Sequence, residues 1–71
     1  MIVFDKLWET MKKKKISTYK LREECLIDSR AIKRLRENGS IETKTIDRLC
    51  KFLDCHVEDI ITYIEDYPSA D

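Results

Sequence analysis

Apolar residues recur along most of this chain at helical spacing. Phe4, Leu7, Trp8 and Met11 follow i, i+3, i+4, i+7 and predict a first helix over about residues 4–14, with Trp8 as a core anchor. Asp5 and Glu9 lie toward its start and lysines crowd its end, as the helix dipole prefers. Ser17 or Thr18 caps a second helix running to about residue 25 or 26, and Asp28 caps a third running to about residue 37. Only the Leu26-Ile27 turn separates them. Leu21, Cys25, Ile27, Ile32 and Leu35 fall where two crossed helices need apolar residues to hold each other. Asn38-Gly39-Ser40 ends the third helix, with Asn38 or Gly39 able to take the left-handed conformation. Glu42 or Thr43 opens a fourth helix whose apolar face is Ile46, Leu49, Cys50 and Leu53 and which ends near Asp54. His56 or Val57 begins a fifth, with Glu58 and Asp59 in its first turn and Ile60, Ile61 and Ile64 inward. Pro68 closes the ordered part. The expectation is one domain over residues 1–67 and a short flexible tail over 68–71.

Size changes the picture little. Seventy-one residues make one domain, and such a chain buries only about 60% of its unfolded surface. Hydrophobic residues at 42% and charged residues at 39% suit a small soluble helical protein. No apolar run approaches the roughly 20 residues that span a bilayer. The N-terminus MIVFDKLW places no basic segment ahead of its short apolar stretch, so no signal peptide is expected and a cytoplasmic location is.

Charge changes it more. The formal net charge is zero, yet all 14 Lys and Arg lie in residues 1–51 beside eight acids, a net +6. Residues 52–71 hold six acids and no cation, a net −6. Such segregation points to a polyanionic partner for the basic part. The third helix concentrates the signal, with Arg30, Lys33, Arg34 and Arg36 in seven residues and no acid over 29–36. A cationic helix held rigidly at one end of a small domain fits the major groove of DNA. The ordinary alternative is a solvated face laced with weak pairs such as Lys33 with Glu37. The four lysines at 12–15 have two readings as well, phosphate attraction or the normal preference of helix C-termini for cations.

Other chemistry is poorly provided for. Cys50 and Cys55 are too far apart for a CxxC knuckle, and no fourth ligand joins them and His56, so neither metal nor cofactor is expected. Cys25 and Cys50 sit on apolar helical registers, where a thiol acts as a small core residue. His56, before a helix start, reads as a cap or surface residue. No nucleophile–base pair, phosphate loop or paired carboxylate accompanies it, so the chain is not expected to be an enzyme.

The five apolar positions of the paired helices, followed by TIDRLCKFLDCHVEDII, resemble the Cro/cI-type (XRE) helix-turn-helix family of phage and bacterial repressors over residues 7–64. The resemblance implies an all-α, compact five-helix lambda-repressor-like DNA-binding domain, with the helix-turn-helix at helices 2 and 3. Two positions depart from the family. Leu26 stands where glycine is usual, so it must take an unfavourable conformation or reshape the turn, at about 1–2 kcal/mol. Arg22 stands where a small alanine is usual, and its stem must run along the surface.

Carried over position by position, the resemblance implies base readout by Ser29, Arg30, Lys33 and Arg34. Arginine suits the O6 and N7 edge of guanine. It implies phosphate contacts from Thr18 with its helix start, from Arg36 and Asn38, and from Lys44 and Thr45. The function expected is a sequence-specific transcriptional regulator of double-stranded DNA. It is expected to be a repressor, because the chain is too small to carry a sensor. A homodimer is expected at least on DNA, through residues such as Ile61, Ile64 and Tyr67. The competing reading is an antitoxin-like or anti-repressor module whose acidic C-terminal third docks a protein.

Overall fold

The structure, a computed structural model, describes residues 1–65. Strand β1 (Ile2–Val3) leads into helix α1 (Asp5–Lys14), followed by α2 (Thr18–Glu23), α3 (Ser29–Arg36) and α4 (Thr43–Leu53). A single 3-10 turn (Val57–Asp59) and strand β2 (Thr62–Tyr63) complete the described part. The architecture is mainly helical, with four α-helices around one core and a two-stranded sheet at its side. Leu7, Leu21, Leu35, Leu49, Leu53 and Ile60 are wholly buried, joined by Phe4, Met11, Cys25, Ile27, Ile32 and Ile46. All five apolar positions expected to hold α2 against α3 are therefore in the core. Trp8 is only partly buried and packs on the rim. Residues 2–3 and 62–63 pair antiparallel, Ile2 opposite Tyr63 and Val3 opposite Thr62.

The helix starts follow the sequence closely. Ser17 Oγ accepts from the Lys20 N–H at 3.3 Å, and Asp28 Oδ1 accepts from the Ala31 N–H at 2.8 Å. The helix ends are less usual. Each α-helix is followed by a non-glycine residue with positive φ: Lys15 (58°), Leu26 (61°), Asn38 (57°) and Asp54 (53°). After α1, α3 and α4 the same hydrogen-bond pair closes the end, as in Ile16 N–H to Met11 O at 2.9 Å with Lys15 N–H to Lys12 O at 3.2 Å. Gly39, the chain's lone glycine, does not have positive φ; Asn38 before it does, which selects between the two residues expected there. A Cβ on Gly39 would meet Arg34 only at ordinary contact distance, 3.6 Å.

Leu26 settles the question raised by its departure from the family. It takes the left-handed conformation, and its side chain is 70% exposed. It loses burial and carries backbone strain together. Leu26→Gly is therefore expected to stabilise the fold by about 0.5–1 kcal/mol, the relieved strain less the extra freedom glycine gives the unfolded chain. Thermal melting should move up by roughly 3–6 °C. A fall in Tm would show that the leucine side chain supports the turn.

Three expectations need correction. The fifth helix is only the 3-10 turn, so the fold is not purely α-helical and has four α-helices rather than five. The physical reason lies in Ile60, Ile61 and Thr62, a β-branched run that favours extended backbone and finds a partner in Ile2–Val3. Ile60 and Ile61 pack inward as expected, but Ile64 is 46% exposed. Helix α2 stops at Glu23, short of Cys25, because the chain has to turn toward Leu26. Tyr67, Pro68 and the tail over 68–71 lie outside the described residues, and so does the domain limit at 67.

Candidate nucleic-acid interface

Helix α3 presents its chemistry outward because its apolar residues leave one way to dock. Ile32 and Leu35 are buried and Ala31 half-buried, all on one side. At 3.6 residues per turn the opposite side carries Lys33, Arg30 and Glu37, flanked by Ser29 and Arg36 on one edge and Arg34 on the other. All six are exposed. Asp28, the one acid at the start of α3, is committed to capping it.

Two shallow concavities run along the two edges of α3. On the α2 side, Ser29, Lys33 and Arg36 are joined by Thr18 and Arg22, giving three cations and no carboxylate in the lining. On the α4 side, Arg30 and Arg34 are joined by Lys44, Thr45 and Arg48, with Asp28 and Glu42 also in the wall. This second hollow measures about 730 Å³. Among the described residues no ion pair occupies these cations, and the Lys33–Glu37 pair is not formed. The ion pair Lys51–Asp47, at 3.1 Å, joins successive turns of α4 instead.

The structure assembles eight of the nine residues singled out from sequence: Ser29, Lys33, Thr18 and Arg36 on one edge, and Arg30, Arg34, Lys44 and Thr45 on the other. Asn38 is the exception. Its Oδ1 accepts from the Phe4 N–H at 2.9 Å, tying the end of α3 to the start of α1, and it lines neither concavity. Two further cations, Arg22 and Arg48, line these edges. Arg22 follows Thr18 by four residues and Arg48 follows Lys44 by four, so each shares its helix face with a residue already named. That spacing was the available signal.

The cysteine beneath this face is structural. Cys25 donates through Sγ to Arg48 O at 3.7 Å, linking the end of α2 to α4. Burial pushes its thiol pKa up, with the Arg48 guanidinium offsetting part of the rise. A cationic helix edge-lined by further cations matches what a duplex offers: base edges in a groove about 12 Å wide, between two rows of phosphates.

Comparison with known proteins agrees with this geometry. A sequence model of the Cro/C1-type HTH DNA-binding domain matches residues 6–66. The crystal structure of the transcriptional regulator VanUg (Form II) superposes with a TM-score of 0.85, covering 92% of this chain and 87% of that one at 22% identity. At that identity the likeness is one of fold. No curated protein sequence matches significantly.

Proposed function

This chain belongs to the Cro/C1-type helix-turn-helix DNA-binding family, and on that premise we propose that it is a sequence-specific transcriptional repressor that inserts α3 into the major groove. Ser29, Arg30, Lys33 and Arg34 face base edges. Thr18, Arg22 and Arg36 meet one phosphate row, and Lys44, Thr45 and Arg48 meet the other. Asn38 serves the fold. The observation that carries this reading is the pair of cationic edges flanking α3. Two copies bind together, with half-sites about 34 Å apart.

Selection from a random DNA pool followed by salt titration tests the proposal. Each bound copy has four cations placed for phosphates (Arg22, Arg36, Lys44, Arg48). Log K is expected to fall with log salt at a slope of about −3 to −4 per copy. Arg22→Ala or Arg48→Ala should each lower that slope by about 1 and weaken selected and random DNA alike. The selected site should be preferred by roughly 10³ or more. Salt-independent binding, or a pool that enriches nothing, would shift the function to a protein partner docked on the acidic C-terminal third.

A further inference from the structure

The ends of α1, α3 and α4 share one hydrogen-bonding motif, which brings the side chains of its first and last residues together. At α1 those residues are Met11 and Ile16, an ordinary apolar pair. At α4 they are Cys50 and Cys55: the Cys55 N–H donates to Cys50 O at 3.0 Å, the Asp54 N–H donates to Lys51 O at 3.3 Å, and Asp54 has φ 53°. Both side chains are half-buried and face the same groove. They open onto a shallow groove of about 480 Å³ with Asp47 and His56, so small solutes reach them. Cys25 is elsewhere, buried and bonded to Arg48 O.

We propose that Cys50 and Cys55 form a dithiol modification site, converted to an intramolecular disulfide by a small-molecule disulfide of the oxidised-glutathione class. One cysteine thiolate attacks a sulfur of the small disulfide, forming a mixed disulfide and expelling one small thiolate. The other cysteine thiolate then attacks the protein sulfur of that mixed disulfide. The Cys50–Cys55 bond forms, and the second small thiolate leaves. Two electrons pass from the protein to the small disulfide, and the two protons lost by the cysteines go to the expelled thiolates. Burial, and behind it the Asp47 carboxylate, pushes the Cys50 thiol up; burial, then Cys50 itself and Asp59, does the same for Cys55. Exchange is accordingly slow, and in a reducing compartment the pair rests as a dithiol. The bond clasps the end of α4 on the helix flank away from Arg48, since Cys50 and Arg48 lie on either side of the buried Ile46, Leu49 and Leu53.

The test is equilibration of the full chain in glutathione buffers of increasing oxidised fraction, followed by alkylation and peptide mass mapping. The expected product is a monomer lacking two hydrogens, with Cys50 linked to Cys55 and Cys25 alkylated. Cys50→Ser and Cys55→Ser should each stop at a glutathione mixed disulfide. A wild-type protein that, at the most oxidising ratio, carries only mixed disulfides, only intermolecular links, or a bond to Cys25 overturns the assignment.

Discussion

Replacing Arg30 and Arg34 together by alanine is expected to leave a folded protein that no longer distinguishes its operator from other DNA. Both side chains are exposed on α3, and among the described residues neither makes a side-chain hydrogen bond or ion pair. Alanine is at least as good a helix former as arginine, so helical content should be unchanged. What is lost is readout. A bidentate arginine–guanine contact carries about 1–3 kcal/mol of discrimination, so two carry about 2–6, or roughly 30-fold to 10⁴-fold. A specificity ratio of about 10³ should thus collapse to about 30 or below.

The measurement is competition between the selected site and a scrambled one, with circular dichroism alongside. Lys51→Ala is the control, because Lys51 pairs with Asp47 on α4 and lines neither concavity. It should leave the ratio untouched. The contrast with Arg22 and Arg48 is equally informative, since losing a phosphate contact lowers affinity while keeping the ratio. If the folded Arg30/Arg34 double variant still prefers its site in full, α3 is not the reading helix.

The parts legible in the sequence were those whose signals are local and periodic. Helices α1, α3 and α4 show apolar spacing over two turns or more, and the caps Ser17 and Asp28 act through bonds to residues three positions ahead. Leu26 was legible as a strained position because its strain belongs to one residue's backbone. What escaped depends on residues far apart in the chain. A two-residue strand has no period to detect, and β1 exists only because Thr62–Tyr63 lies beside it. The apolar Ile60, Ile61 and Ile64 could be read at helical spacing, whereas their β-branching argued for a strand; the distant partner decided between them. The bond that the Asn38 amide oxygen accepts from the Phe4 N–H, 34 residues earlier, is likewise a product of the fold. Arg22 and Arg48 were half legible. Their helix faces were fixed by spacing, but the meeting of those faces with α3 is a product of tertiary packing.

That packing can be tested on the inner side of the same helix. Leu35→Ala is expected to destabilise the domain by about 2–5 kcal/mol, the range for emptying a buried leucine site. Leu35 is fully buried and lies opposite the outward cations of α3. A chain of this size has a total stability of only about 4–11 kcal/mol, so the change removes from about a fifth to all of it. At roughly 4–8 °C per kcal/mol, Tm should drop by at least about 8 °C. DNA binding should fall through the unfolded fraction alone, because every base-facing side chain remains in place. Saturating operator DNA binds only the folded state and should restore much of the lost Tm. A variant whose Tm stays within a few degrees of wild type would mean that Leu35 does not anchor α3. The rigid presentation of Arg30 and Arg34 would then need another support. A variant that melts early yet cannot be rescued by operator would place Leu35 in the binding geometry itself, so the two measurements separate holding the helix from aiming it.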